Sequence, residues 1–317
     1  MQEYKISRQN DYHSSFTNWY DSSSIRTKPQ RLIDETEIDE KEFFPSQHIP
    51  ILSHPLIQER DVKFKQKISI QHLYSYLEFT NILEHQLVNH VIQKIISGNG
   101  IIELPDQMIM DAHKMYVDEA YHSLFSSDMK NQVLKLTGVP ELSVGKPSFI
   151  LCLGKMLENL PVDIHELVKV FAVIVSETLI SSILRETHRQ GNVISAVKNM
   201  ILDHAEDEKH HHAYFSHLLH ILWIQLNEEQ QKTIGQLLPE LILAFLKPDL
   251  IRHKSYLNRL GFSIDQSNLI VEESYPDSQV ILSIQSEAKP TINHLNKNGI
   301  LDLPYVIESF HKFGFNV

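Results

Sequence analysis

The chain of 317 residues contains a single cysteine, Cys152, which excludes an intrachain disulfide and a cysteine-ligated metal site. No run of 18 apolar residues occurs, so a membrane-spanning helix is not expected, and the polar stretch after Met1 does not resemble a signal peptide. A glycine-rich phosphate loop is also missing. These absences predict a cytoplasmic globular protein, with Cys152 expected in its core.

Positive charge is also scarce, since 29 Lys and Arg residues face 40 Asp and Glu residues, for a formal net charge of −11. An acidic chain of this kind is a poor partner for nucleic acid or an anionic membrane surface. Histidine, by contrast, is abundant, with 19 residues. Many histidines beside one cysteine favour nitrogen and oxygen ligation, which suits iron, manganese, copper or zinc.

Helical periodicity dominates the chain after a polar, serine-rich beginning. We predict an irregular arm over residues 1–50 and a single helical domain over 51–317, with an all-α fold. Strand signals are few, and the best of them, at 279–284, is weak. Apolar residues at helical spacing predict four long helices and several C-terminal ones, at about 68–97, 106–126, 163–189, 193–226, 227–246, 248–259, 288–297 and 303–313.

The fourth long helix carries three ionisable residues on an otherwise apolar face. His204, Glu208 and His211 are spaced i, i+4 and i+7, so they form one stripe. Burying three such groups without partners costs several kcal/mol. A bound metal removes that cost, and the stripe therefore predicts a metal site.

The second helix repeats this pattern with Glu119 and His122, which are spaced i, i+3. In carboxylate-bridged di-iron bundles, two helices each supply Glu-x-x-His and two others each supply a single Glu. Glu177 is the only carboxylate in the most apolar part of the third helix, and Glu84 lies on the apolar face of the first. The predicted ligands are Glu84, Glu119, His122, Glu177, His204, Glu208 and His211.

Each of these pairs taken alone also fits a solvated helix face or a salt-bridged core histidine. The match of four helices, in order and spacing, favours a di-metal site. Asp118 and Asp207 each precede a ligand Glu, and we predict that they accept hydrogen bonds from ligand histidines. Surface aspartates are the alternative for these two positions.

At these residues the sequence resembles the p-aminobenzoate N-oxygenase (AurF-type) family of ferritin-like di-iron oxygenases. The family pattern is a Glu, then Asp-Glu-x-x-His, a further Glu, and His-x-x-x-Glu-x-x-His. Glu84, the motif from Asp118 to His122, Glu177 and the motif from His204 to His211 follow that order. The resemblance spans residues 84–211, and it includes the additional histidine, His204.

The resemblance implies a ferritin-like helical bundle with additional C-terminal helices and two iron ions, although manganese or a mixed Mn/Fe pair fits the same ligands. It implies O2-dependent oxidation of an amino group to the hydroxylamine, nitroso and finally nitro or azoxy level, in secondary metabolism. Glu119 and Glu208 would bridge the metals, with Glu84 and Glu177 as terminal ligands. An unidentified electron donor and a homodimer are also implied.

One departure concerns the substrate. The family member acting on p-aminobenzoate is expected to place an Arg near the first-helix Glu, yet residues 68–96 contain no Arg. Arg185 on the third helix could substitute, and Tyr76 and Phe79 could line a substrate pocket, with aromatic core as their alternative. Another arylamine, or an amine derived from an amino acid or bound to a carrier, is equally open.

Two other functions remain open at this point. A di-iron C-hydroxylase or another oxidase would use a similar ligand set, but His204 argues against it because standard di-iron hydroxylases use six ligands. A ferritin-type iron-storage protein is the third possibility. The length of the region after the metal helices, residues 227–317, argues against a ferritin subunit.

Overall fold

The structure is a computed structural model of the chain. It describes residues 12–98, 103–143, 145–187 and 192–317, and within these ranges the side chains of all residues except 181–187. The α-helices of eight or more residues are numbered here in chain order. They are α1 (Val62–Ile82), α2 (Asn89–Ile96), α3 (Asp106–Thr137), α4 (Ser148–Glu158), α5 (His165–Thr187), α6 (Ser195–Trp223), α7 (Glu228–Leu246), α8 (Leu250–Arg259), α9 (Ile264–Ser274), α10 (Asp277–Glu287), α11 (Lys289–Lys297) and α12 (Pro304–Lys312).

The long helices form a bundle of two pairs. One pair is α3 with the consecutive helices α1 and α2, and the other is α5 with α6. The pairs meet where α3 contacts α6 and α2 contacts α5. Local sequence sets the helix ends: the side chain of Asp61 accepts a hydrogen bond from the backbone N–H of Phe64 at the start of α1, and Gly138 ends α3 in the left-handed conformation. The all-α fold predicted from the sequence is confirmed.

A π-helical segment, Leu83–Val88, joins α1 to α2 in one continuous rod. A π turn contains one residue more than an α turn, so the helix face that follows is displaced around the axis. Within this segment the side chains of Glu84, Leu87 and Val88 are buried, whereas His85 and Gln86 are exposed. The π segment therefore turns Glu84 into the bundle.

Residues 12–58 cover one side of the bundle, and none of their helices exceeds four residues. Short helices at Trp19–Ser22 and Ser24–Thr27 lie near α3 and α6. Phe16 is 1% exposed and belongs to the same apolar core as the bundle. In the described part of the chain, extended pairing is limited to one parallel bridge between Glu42 and Val193.

The C-terminal helices pack on the α5 side of the bundle, where α7 and α11 contact α5, and α12 packs along α7. Residues 279–284, the best strand candidate, instead lie in α10, so that expectation was wrong. Pro276 directly precedes this helix, and a lone strand would have had no partner for its backbone groups. Cys152 is exposed rather than buried, because α4 packs through the stripe of Phe149, Leu153 and Met156.

The metal helices also differ in extent from the prediction. The first begins earlier, at Val62, and α3 continues eleven residues past Ser126 to Thr137. The helices α9 and α10 were not predicted. Among the described residues, no helix combines the length and the apolar character needed to span a membrane.

Candidate metal centre

The seven predicted ligands project from four helical segments into the centre of the bundle, and each is at most 1% exposed. The π segment carries one of them, α3 two, α5 one and α6 three. Carboxylates and imidazoles are thus held together where water does not reach. The ligands, in chain order, are Glu84, Glu119, His122, Glu177, His204, Glu208 and His211.

The first cluster contains Glu84, His122, His204 and Glu208, whose ligand atoms lie within 4.8 Å of one another. Nε2 of His204 is 3.0 Å from Oε1 of Glu84 and 3.3 Å from Oε1 of Glu208. Nδ1 of His122 lies 3.6 Å from the same Glu208 oxygen. Two nitrogen and two carboxylate ligands are therefore arranged around one point.

The second cluster contains Glu119, His122, Glu208 and His211 within the same 4.8 Å limit. Nδ1 of His211 is 3.0 Å from Oε1 of Glu119 and 3.0 Å from Oε1 of Glu208. His122 and Glu208 belong to both clusters. The two clusters are therefore adjacent, as a pair of bridged metal ions requires.

Glu177 approaches this second cluster from α5 without belonging to either set of four. Burial raises its pKa well above the ordinary value, and the charges of Glu208 and Glu119 raise it further. Burial likewise raises the pKa of Glu84, to about 7. Both carboxyls therefore hold a proton readily until a cation replaces it.

The histidines have the opposite tendency. Burial and the nearby His204 oppose protonation of His122, but the surrounding carboxylates outweigh them and raise its pKa to about 10. For His211, burial is again outweighed, by Glu208 and Glu119, and its pKa lies well above the usual value. Metal binding at these nitrogens would therefore release protons.

The ligand set fits metal ions because many of its buried atoms lack a hydrogen-bond partner. A buried polar atom left unpaired costs about 1–3 kcal/mol, and more when it is charged. Bound cations would satisfy such atoms, because in the described residues the nearby histidine nitrogens do not meet them at hydrogen-bonding geometry, although Nε2 of His204 lies 3.0 Å from Oε1 of Glu84 and Nδ1 of His211 lies 3.0 Å from Oε1 of Glu119. The unpartnered atoms are both carboxylate oxygens of Glu84, one oxygen each of Glu119, Glu177 and Glu208, and Nε2 of His204.

Two aspartates contact predicted ligand histidines, and each aspartate lies on the other helix from the histidine that it contacts. Nε2 of His122 on α3 is 3.1 Å from Oδ2 of Asp207 on α6, and Nε2 of His211 on α6 is 3.4 Å from Oδ2 of Asp118 on α3. An Nε2–H that donates to a carboxylate leaves Nδ1 free to bind metal. The structure thus places both aspartates beside ligand histidines, as the sequence predicts.

The sequence model of the family described as P-aminobenzoate N-oxygenase AurF matches residues 27–293. The chain belongs to this family. Its members are di-iron N-oxygenases with a helical ferritin-like fold. The search of curated proteins found no match to the chain.

The N-terminal arm also contacts the site, through residues that precede the matched region and that the sequence did not predict. Trp19 donates its indole N–H to Asp118, with distances of 2.7 and 2.9 Å to the two oxygens, and the Ser23 hydroxyl donates to the same carboxylate at 2.6 Å. The backbone N–H of Ser24 donates to Asp207 at 3.1 Å. A buried Trp in an otherwise polar segment was the one available signal.

The candidate pocket residues are dispersed. The hydroxyl of Tyr76 is 3.5 Å from Nδ1 of His204, behind the metal-facing nitrogen. Phe79 packs its ring against Phe149, with centroids 4.7 Å apart, and so forms part of an aromatic core. Arg185 lies outside the residues whose side chains are described.

Proposed function

We propose that this chain is an O2-dependent di-iron N-oxygenase that oxidises the amino group of a small arylamine to the hydroxylamine, nitroso or nitro level. The observation that carries the proposal is the pair of adjacent buried clusters that share His122 and Glu208. The family match over residues 27–293 supports N-oxygenation as the reaction. The site residues named below and the choice of iron are part of the proposal.

The residues divide between two ions according to their positions. Glu84, His122 and His204 would hold one iron, and Glu177 and His211 would hold the other. Glu208, which both clusters share, and Glu119, whose two oxygens lie near His122 and His211, would bridge them. Manganese suits the same donors, so metal analysis of the purified protein is part of the test.

Bound iron would supply the reduction of O2 and the transfer of one of its oxygen atoms to the amine nitrogen. When a hydroxylamine forms, the second oxygen atom of O2 is reduced to water. This reduction consumes two protons and two electrons, and the electrons come from a separate donor. The protein itself would exclude bulk water from the site and hold the imidazole rings in the orientation that metal binding needs. Asp118 and Asp207 would hold the rings in place, because each accepts a hydrogen bond from the Nε2–H of a predicted ligand histidine.

The test is to load the protein anaerobically with Fe(II), add isotopically labelled O2 and a reductant, and offer aniline, p-toluidine, p-aminobenzoate and an alkylamine. We expect two irons per chain and label incorporated at an arylamine nitrogen, measured by mass spectrometry. Label on carbon would favour the C-hydroxylase instead. Iron mineral accumulating without labelled product would favour storage.

His204 and His210 form a matched pair for this experiment, because both lie on α6 but only His204 faces the cluster. We expect His204→Ala to lower both the bound iron and the yield of labelled product, and His210→Ala to leave both near the wild-type level. Equal effects of the two substitutions would remove His204 from the proposed ligand set.

The domain division and the assembly belong to the same proposal. A single apolar core that includes both Phe16 and Phe315 supports one bundle domain over 51–317, with the described part of the predicted arm, residues 12–50, packed on it. The homodimer and the cytoplasmic location stay predictions, to be checked by solution mass and by cell fractionation.

A further inference from the structure

A cavity of about 260 Å³ lies between α3, α6 and the N-terminal arm. From α3 it is lined by Tyr121, Phe125 and Met129, from α6 by Met200 and Asp203, and from the arm by Arg31. Tyr121 and Phe125 are half-buried, so the cavity is accessible from the surface. It is separate from the aromatic core around Phe79.

The cavity ends beside the metal centre. The ring of Phe125 forms this inner wall, with its centroid 5.3 Å from the ring of His122 and 5.7 Å from that of His204. Both histidines belong to the first cluster. A molecule in the cavity is thus separated from the ligands of one proposed iron by a single phenyl ring.

The lining favours a flat apolar molecule. Tyr121 and Phe125 supply aromatic surfaces, and Met129 and Met200 supply flexible thioethers that pack well against aromatic rings. Pockets for drug-sized ligands hold about 300–1,000 Å³, so this smaller cavity suits a molecule with one aromatic ring.

The charges around the cavity disfavour a carboxylate. Arg31, the cation among the described lining residues, donates to Asp203 through Nε at 2.6 Å and through a terminal nitrogen at 2.8 Å. Asp128, also in the lining, accepts hydrogen bonds from the amides of Gln30 and Gln132. With Arg31 neutralised by its partner, the remaining lining charge is negative, which repels an anionic substrate.

We propose that this cavity receives the amine, and that the substrate is a neutral one-ring arylamine without a carboxylate group. This inference rests on the proposed function and adds a substrate class and an entry site to it. The Arg31–Asp203 pair is the specificity element, because it withholds the cation that a carboxylate would need.

The first experiment measures binding to the iron-loaded protein in the absence of O2, so it does not depend on turnover. We expect titration calorimetry to give p-toluidine an affinity at least about tenfold higher than p-aminobenzoate, a difference of about 1.4 kcal/mol. Leu124→Trp, at the rim of the cavity, should weaken p-toluidine binding by about tenfold or more. Ile281→Trp is the matched control, because Leu124 is 62% exposed, Ile281 is 50% exposed, and Ile281 lines a different cavity.

A second variant tests the charge argument in the opposite direction. Asp203→Asn removes the anion that neutralises Arg31, so we expect p-aminobenzoate affinity to rise by about tenfold while p-toluidine affinity changes little. Unchanged p-toluidine binding in Leu124→Trp would overturn the site. Wild-type protein that binds p-aminobenzoate as tightly as p-toluidine would overturn the substrate class.

Turnover then separates this inference from the proposed function. Amine oxidation with the same KM in wild type and Leu124→Trp would reject the cavity and keep the N-oxygenase. Arylamine binding that Leu124→Trp abolishes, without any nitrogen oxidation by the iron-loaded wild type, would keep the cavity as a binding site and reject the N-oxygenase.

Discussion

The reciprocal hydrogen bonds between α3 and α6 explain how two histidines on different helices both present Nε2 to an aspartate and Nδ1 to the cluster. Asp118 sits one residue before Glu119, so it points to the side of the ligand stripe and reaches the histidine of the neighbouring helix. Asp207 does the same in the other direction. Each helix therefore both supplies a metal ligand and supports the ligand of its neighbour.

Removing the charge of either supporting aspartate should weaken metal binding. We expect Asp118→Asn and Asp207→Asn each to lower iron affinity by about 10- to 100-fold, since the imidazole loses its anionic partner. Competition with a chelator measures this effect. Asp111→Asn is the control, because Asp111 is also buried on α3 and bonded to the arm through Tyr12, but it contacts no ligand histidine.

An equal loss of affinity in all three variants would mean that the aspartates act only through general stability. Asp118 and Asp207 were predicted as supporting residues because they flank the predicted ligand motifs, and the structure places them beside His122 and His211. The sequence could not predict Trp19, Ser23 and Arg31, which reach the site only through the path of an irregular arm. Long-range contacts of this kind carry no periodic signal.

At the level of helices, periodicity was sufficient where an apolar stripe continues without interruption. It failed at the end of α3, where Ser126 and Ser127 weaken the pattern although the helix continues to Thr137. The π segment around Glu84 could not be predicted either. One added residue shifts the apolar positions only slightly, and the resulting pattern still fits an α-helix. Residues 279–284 fit a strand only when tertiary packing is ignored.

The contact between α7 and α12 requires a glycine, which yields a prediction about stability. A Cβ on Gly235 would lie 2.6 Å from Cγ2 of Val306 on α12. We therefore expect Gly235→Ala to lower the free energy of unfolding by about 1–3 kcal/mol through overpacking, measured by urea denaturation.

Gly154 on α4 is the matched control, since an added Cβ there meets nothing within 4 Å. Gly154→Ala should raise the free energy of unfolding by roughly 0.5–1 kcal/mol, because alanine favours the helix. If both substitutions shift stability in the same direction, close packing is not what Gly235 provides.

The contact between α1 and α8 buries two histidines and makes stability depend on pH. The rings of His72 and His253 lie 4.8 Å apart, and Nε2 of His72 is 2.8 Å from the hydroxyl of Tyr256. Burial lowers the pKa of His253 from 6.5 to about 4, with Asp249 opposing the shift and Arg252 adding to it. Burial also lowers the pKa of His72 well below its usual value.

Because the folded pKa of His253 is depressed, the unfolded chain binds its proton first as pH falls. The stability from neutral His253 is thus fully present above pH 6.5 and is lost as pH falls towards 4. We expect His253→Phe to lose less stability than wild type over this interval, by about 3 kcal/mol. Urea titrations of the metal-free proteins at several pH values measure the difference, and parallel curves would contradict it.

For the whole molecule, the metal centre concentrates four carboxylates and three histidines inside the common core. Such a cluster is costly without cations, because like charges repel and buried atoms remain unpaired. Fold class followed from the sequence, and a ligand set could be predicted from it, because few arrangements besides a metal centre place ionisable residues along an apolar helix face. The substrate did not follow, because its cavity combines α3, α6 and the arm.

Removing the metal should accordingly lower the stability of the whole domain. At a free metal concentration of about 100 Kd, each independent site stabilises the folded state by about 2.7 kcal/mol, so chelation should lower Tm by several degrees or more. Differential scanning calorimetry with and without chelator measures this shift. Chelation that leaves Tm unchanged would show that the clusters do not bind metal in the folded protein.

The hydrogen bonds from Trp19, Ser23 and Ser24 to the two supporting aspartates connect docking of the arm with metal binding. The docked arm bonds to these carboxylates, and the metals would bind the histidines that the carboxylates hold, so the two equilibria are linked. Linkage is reciprocal: the factor by which a docked arm tightens metal binding equals the factor by which bound metal tightens arm docking. The rate at which a protease cuts the arm therefore reports how much of the protein carries metal.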